Sequence, residues 1–289
     1  MVLRSLVLAG ALASACARVG ALDVAPLWNF SDPAASEQRF RAALATASGD
    51  DALILQTQIA RTYGLRGDFE TARRILHEIE PRLATAGAEA RVRHALEIGR
   101  TYASAAHPPE TQTDDAKERA RSAFLAAHET AKGAQLDGLA IDALHMMAFV
   151  DTAPGDQLKW GRQALALAER SSQPAAWKWE ASLRNNVGYA LHRLGRYDEA
   201  LAQFRQAVVL RAKGGDASAL RDARWMEAWA LRALGRVDAA LAIQRQLEAA
   251  YEAAGAPNRE VFEELELLHR ARGDVERADH YARRKADVR

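Results

Sequence analysis

The sequence has few of the residues on which covalent or charge-driven functions depend. It contains one cysteine, Cys16, so no disulfide can form within the chain. It also lacks an excess of either charge, with 39 basic and 38 acidic residues and a formal net charge of +1. Proteins that bind nucleic acids usually have an excess or a stripe of basic residues that neutralises the phosphate charge. We therefore expect no nucleic-acid partner.

Motifs that carry catalysis are also missing. The sequence has no His-Glu-x-x-His, no Gly-x4-Gly-Lys loop, no Gly-x-Ser-x-Gly and no Cys-x2-Cys. His128-Glu129 leads to Lys132, where a zinc protease needs a second histidine. We expect no metal ion, no cofactor and no catalytic residue. An enzyme of unknown type is the least supported of the alternatives.

Residues 1–21 have the organisation of an export signal. Arg4 precedes an uncharged apolar stretch, Ser5–Ala17, which is too short to span a bilayer but suits the core of a signal peptide. The small residues Val19-Gly20-Ala21 predict cleavage before Leu22. The mature protein is then periplasmic or secreted. No other stretch is long and apolar enough to cross a membrane.

An alternative processing route uses the cysteine. The segment Leu12-Ala13-Ser14-Ala15-Cys16 resembles a bacterial lipobox, although Ala13 stands where such signals prefer Leu, Val or Ile. In that case Cys16 is lipidated and anchors the protein to a membrane. The sequence leaves both routes open.

One six-residue motif recurs along the chain. Its positions are glycine, a polar residue, a bulky apolar residue, an acidic residue, any residue and alanine. Glycine ends a helix in the left-handed conformation, and the acidic residue lies near the start of the next helix, where backbone N–H groups favour negative charge. Alanine fits where two antiparallel helices cross closely. The copies are Gly67–Ala72, Gly195–Ala200, Gly235–Ala240 and Gly273–Ala278.

Two degenerate copies extend the pattern to a period of roughly 40 residues. The small residues that mark each second helix are Ala72, Ala120, Gly161, Ala200, Ala240 and Ala278. The widest interval, between the first two markers, contains the Pro- and Thr-rich insertion His107–Thr111, which no helix would tolerate.

The pattern resembles the tetratricopeptide repeat, a helix-turn-helix unit. Its first-helix and second-helix signatures are matched by Ile98-Gly99-x2-Tyr102, Val187-Gly188-x2-Leu191, Ala120-x3-Phe124 and Ala200-x3-Phe204. The long period is similar to that of kinesin-light-chain-like repeats. The resemblance covers residues 51–289 and implies an all-α, right-handed superhelical solenoid of about six repeats. Residues 22–50 are expected to hold a capping helix or half repeat that begins at Asp32-Pro33.

The resemblance also implies where a partner binds, because first helices line the concave surface of such a superhelix. In the fourth repeat, Leu183, Val187 and Leu191 are predicted to face the core, and a separate polar and aromatic face lies beside them. Two adjacent first helices bring these side chains together. The predicted partner-binding residues are Asn185, Tyr189, His192, Trp225, Trp229 and Arg232.

Two structural alternatives remain at these positions. Asn185 and Asn186 could bridge helices instead of binding a partner. Glu227 stands where an aliphatic core residue is expected, and a local slip in register would place Trp225 and Trp229 in the core.

We interpret the chain as a non-catalytic, exported scaffold that holds a protein or peptide partner in a concave groove. The first helices predict a groove that starts basic, at Arg61, Arg93 and Arg100, and ends acidic, at Glu260 and Glu263. The alternative from another class is a lipoprotein, tethered to the outer membrane, that aids assembly or secretion.

Overall fold

The computed structural model describes residues 22–288, and within them every regular element is a helix. The signal-type segment, with Cys16 and both predicted processing positions, lies outside the described residues. The α-helices are Pro33–Leu44 (α1), Gly49–Leu65 (α2), Phe69–Ile79 (α3), Ala88–Arg100 (α4), Asp114–Gly133 (α5), Asp137–Met146 (α6), Pro154–Arg170 (α7), Pro174–Trp177 (α8), Glu180–Arg193 (α9), Tyr197–Gly214 (α10), Ala217–Ala233 (α11), Val237–Ala253 (α12), Arg259–Ala271 (α13) and Val275–Asp287 (α14). Short 3₁₀ turns occur at Ala25–Leu27, Glu80–Thr85, Pro109–Thr111 and Met147–Phe149.

The helices pair into repeats along the chain. The pairs are α2 with α3, α4 with α5, α6 with α7, α9 with α10, α11 with α12, and α13 with α14. First helices of neighbouring repeats also touch one another, as α2 does α4 and α9 does α11, whereas second helices of neighbouring repeats hardly meet. The stack therefore bends toward its first helices, which form the concave side. The predicted all-helical solenoid of about six repeats is confirmed.

Helix α1 precedes the first pair and packs on α2. The Asp32 carboxylate accepts a hydrogen bond from the Ala35 amide at 2.9 Å, and Pro33 follows as the first helical residue, as the sequence predicts. Ser36 and Phe40 are fully buried on the face that meets α2, at the same spacing as in a second helix.

The recurrent six-residue motif forms the turn between the two helices of a repeat. Its four glycines have φ between 71° and 80°, a region that other residues resist. At Gly195, for example, the next amide, that of Arg196, donates to the Leu191 carbonyl at 2.9 Å and closes the end of α9. The bulky apolar position is half-buried at Phe69, where His107 of the next repeat stacks on it at 3.8 Å. At Val275 it is exposed, since no described repeat follows α14.

The small residues lie where the two helices of a repeat cross. Ala120 and Ala200 are fully buried, and so are the corresponding alanines in the last two repeats. The crossing is tightest where the first helix carries glycine. A Cβ atom added to Gly188 would lie 2.6 Å from Cε1 of Phe204, far inside van der Waals contact, and Gly99 abuts Phe124 in the same way. The Phe rings therefore fill the space that the missing side chains leave.

The register does not slip at Glu227. Its neighbours Ala223, Ala228 and Leu231 are buried as the repeat requires. Glu227 is half-buried at the position of Val187 in the preceding repeat, and its carboxylate reaches Arg205 on α10 at 3.0 Å. A salt bridge thus replaces the expected aliphatic contact between the two helices.

The Gly188–Phe204 crossing can be tested by substitution. We expect Gly188→Ala to lower the free energy of unfolding by about 1–3 kcal/mol, because the new methyl group overlaps the Phe204 ring. Urea denaturation followed by circular dichroism measures the change.

Gly64→Ala is the matched control. Gly64 is also helical, and nothing lies within 4 Å of a Cβ placed there. That variant should be neutral or stabilised by up to about 1 kcal/mol. Phe204→Leu should recover part of the loss in the Gly188→Ala background, since Ala60 and Leu76 hold the same two positions in the first repeat. Equal losses in Gly188→Ala and Gly64→Ala would contradict this account of the crossing.

Candidate functional site

The concave faces of the first helices are joined by polar contacts in the N-terminal half of the solenoid. Each contact links a side chain on one first helix to a side chain on the next. The pairs are Arg61–Glu97 at 3.8 Å, Arg100–Asp142 at 2.5 Å and Asn186–His145 at 3.1 Å. These contacts run in one direction along the concave side from α2 to α9.

The arginines at this end are paired with carboxylates. Glu97 and Asp142 are nearly buried, and the guanidinium of Arg100 bonds to both. Burial by itself would raise the pKa of Asp142, but the charges of Arg100 and Arg61 hold it below its usual range. Arg93 pairs with Glu89 at 2.8 Å. The prediction that the groove begins with a net positive charge is therefore wrong, because acidic side chains on the first helices neutralise these arginines.

An aromatic row, formed by Tyr189, His192, Trp225 and Trp229, occupies the concave side of α9 and α11. The Trp229 ring is central: it stacks on His192 with ring centroids 3.3 Å apart, on Tyr189 at 5.9 Å and on Trp225 at 6.0 Å. Both tryptophans are half-buried and pack against the core, while Tyr189 is 39% exposed. The row therefore packs against the core through its tryptophans and reaches the surface at Tyr189.

The other two predicted residues lie on the same face but differ in their contacts. Arg232 forms two hydrogen bonds, at 2.7 and 2.8 Å, to the nearly buried carboxylate of Glu264 on α13. It thus joins two first helices in the free protein. Asn185 has a buried Oδ1 atom with no hydrogen-bond partner among residues 22–288, so Asn186, and not Asn185, bridges helices.

A cavity of about 500 Å³ opens beside this row, and the sequence did not predict it. It lies between the segment that follows α4, the first turn of α5, the end of α6, α7 and α9, and its wall includes Tyr189, His145 and Asn186. A smaller cavity of about 210 Å³ shares His145 and Phe149 with it. The one sequence signal of the cavity is the insertion at His107–Thr111, part of which lines the wall.

Burial keeps several histidines neutral. Desolvation lowers the pKa of His94 and of His145, and Arg232 adds to the lowering by desolvation at His192. The stacked His192 ring is thus an uncharged surface at neutral pH. Among residues 22–288, no group of three or more His, Cys, Asp or Glu side chains is placed to hold a metal ion. None of the helices described has both the length and the apolar character needed to cross a membrane.

One part of the solenoid also matches a known family. Residues 179–253, which contain the aromatic row, match the family model of the tetratricopeptide repeat. This segment of the chain contains tetratricopeptide repeats. Comparison with curated protein sequences gives no match.

Solved structures extend the similarity to most of the chain. A signal-transduction ATPase with a tetratricopeptide-repeat sensor, from Pyrococcus horikoshii, is 12% identical, with a TM-score of 0.66 over 89% of this chain and 38% of that one. Aspartyl phosphate phosphatase F from Bacillus subtilis is 14% identical, with a TM-score of 0.57 over 90% of this chain and 67% of that one. Kinesin-light-chain TPR-like repeats from Podospora anserina are 18% identical, with a TM-score of 0.53 over 72% and 99%.

These likenesses concern the fold. The chain spans 38% of the length of the Pyrococcus protein. They agree with the kinesin-light-chain-like repeat suggested by the long period.

The neutral histidines predict how stability depends on pH. Because the unfolded chain protonates these imidazoles at a higher pH than the folded chain does, it binds more protons below about pH 6.5. The unfolding free energy should therefore be largest above that pH and fall as the pH drops toward 5.5, by at most about 1.4 kcal/mol per pH unit for each histidine. Denaturation at a series of pH values measures the slope.

His145→Gln should reduce this slope, since glutamine removes the buried imidazole and can still contact Asn186. The exposed His77→Gln shows the effect of removing an imidazole outside the core. A melting temperature that rises when the pH is lowered from 7.5 to 5.5 would contradict the prediction.

Proposed function

We propose that the chain is an interaction scaffold whose aromatic row anchors an extended segment of a protein partner on the concave side. The observation that carries the proposal is the stacking of a partly exposed Tyr189 on the half-buried Trp229, at the junction of two first helices. Aromatic residues with one face packed against the protein and the other accessible are common binding hot spots. The tetratricopeptide-repeat fold supports a protein as the partner.

Polar atoms beside the row support a partner with a peptide backbone. Asn185 Oδ1, His192 Nε2 and Trp225 Nε1 have no hydrogen-bond partner among residues 22–288. An unpaired polar atom costs about 1–3 kcal/mol when it is kept from water. A bound segment that offers amide donors and acceptors, with small side-chain movements, would relieve that cost.

The charges around the row indicate the rest of the partner. Glu260 and Glu263 are exposed on α13, beyond the row, while the N-terminal side is neutralised by its own ion pairs. A segment that carries an apolar or aromatic side chain next to a basic one complements this surface.

Binding is tested best at Tyr189, because Arg232 also supports the fold. Arg232→Ala would leave the nearly buried Glu264 without its partner and should cost about 1–3 kcal/mol of stability, so a loss of binding there would be ambiguous. We expect Tyr189→Ser to reduce the amount of partner recovered by cross-linked affinity capture by about tenfold, with little change in melting temperature.

Trp177→Ser is the matched control, since Trp177 is a more exposed aromatic residue, on α8, that does not stack on the row. It should recover as much partner as the wild type. If Tyr189→Ser recovers as much partner as Trp177→Ser does, the aromatic row is not the binding surface. The insertion at His107–Thr111 would then be the next surface to substitute.

Export and membrane attachment belong to the same proposal. The apolar stretch after Arg4 supports a periplasmic or secreted scaffold, and Cys16 supports the alternative of a tethered lipoprotein. Expressed in a bacterium, the wild type should yield a mature chain that begins at Leu22, as intact-mass measurement would show. Palmitate labelling of the wild type, but not of Cys16→Ser, would instead establish the lipoprotein.

A further inference from the structure

The larger cavity exists because two first helices end early. Helix α4 ends at Arg100 and α6 at Met146, whereas α9 continues to Arg193. The chain after α4 leaves the repeat pattern through the insertion and lines the space with Ser104, His107 and Gln112. The resulting volume of about 500 Å³ lies within the range of small-molecule sites in proteins.

Most of the cavity wall is apolar. Leu144, Ala148 and Phe149 come from α6 and the 3₁₀ turn that follows it, and Leu183 and Tyr189 come from α9. Such a wall suits a ligand with an apolar body and few polar groups.

The formal charge of the cavity is positive and comes from one side chain. Lys117, on α5, lines the cavity, and no Asp or Glu does. Lys117 also makes no ion pair with a carboxylate of residues 22–288, whereas the nearby Arg100 and Arg121 each contact two. One cation with no ion-pair partner among residues 22–288 therefore lines the apolar space.

The histidines of the wall differ in what they can offer a ligand. Both ring nitrogens of His107 are engaged, Nε2 with the Thr101 carbonyl at 3.1 Å and Nδ1 with the Ser104 hydroxyl at 2.9 Å. The amide of Asn186 donates to Nδ1 of His145 at 3.1 Å, which leaves the proton on Nε2. His145 can thus donate a hydrogen bond as a neutral ring.

We propose that this cavity binds a small organic carboxylic acid with an aromatic or aliphatic body. The carboxylate pairs with Lys117, and the body packs against Leu144, Phe149 and Tyr189. His145 provides a further donor for a ligand oxygen. The proposal does not depend on a protein partner, although Tyr189 belongs to both the cavity and the aromatic row.

Titration calorimetry on the chain from Leu22 onward, the predicted mature form, tests the proposal with three probes: indole-3-acetate, 3-phenylpropionate and octanoate. Each acid is compared with its primary amide, which has the same body and no charge. We expect at least one acid to bind with a Kd below about 1 mM and about tenfold more tightly than its amide. Lys117→Met should remove this preference while the amide binds as before.

Two further variants distinguish the cavity from the rest of the surface. Lys132→Met, near the end of the same helix and not part of the cavity wall, should bind the acid like the wild type. Ala148→Phe should weaken both acid and amide by filling the space. Binding of none of the three acids below about 1 mM, or equal binding by Lys117→Met and wild type, overturns the proposal. Because no protein partner is present in these titrations, their outcome is independent of the capture experiment on Tyr189.

Discussion

In two of the repeats, the backbone of the first helix rests directly on an aromatic ring of the second. Gly188 contacts Phe204 and Gly99 contacts Phe124 so closely that no side chain fits between them. This crossing sets the distance between the helices, and the turn glycines set their direction. The first helices of successive repeats then lie close enough to touch, which bends the stack and creates a concave side.

Different kinds of contact join successive first helices along the concave side. From α2 to α9, ion pairs and one hydrogen bond join the first helices, and Arg100 lies between two nearly buried carboxylates. Between α9 and α11, stacked rings around Trp229 take their place. An ion pair, Arg232 with Glu264, again joins α11 to α13. Charged pairs satisfy one another and leave little for a partner, whereas rings keep an accessible edge or face. This contrast supports the proposal that a partner binds at the rings between α9 and α11.

The two proposed sites follow from two departures from the repeat. The aromatic row arises because bulky rings occupy positions that hold smaller or charged side chains in other first helices. The cavity arises because α4 and α6 end early and the insertion folds beside them. Tyr189 is common to both, so a ligand in the cavity and a partner on the row would share one side chain.

The sequence by itself determined the helical repeat, its register and the grouping of Tyr189, His192, Trp225 and Trp229. Glycine, acidic residue and alanine at fixed spacing act locally, through backbone conformation and side-chain size, so they can be recognised in one dimension. Only the tertiary structure decided that Arg232 pairs with Glu264 and that a cavity opens beside His145. It also decided that Glu97 and Asp142 neutralise the charges of Arg61 and Arg100. Those outcomes depend on which individual side chains pair across repeats about 40 residues apart. The repeat pattern aligns the helices but does not specify these pairings.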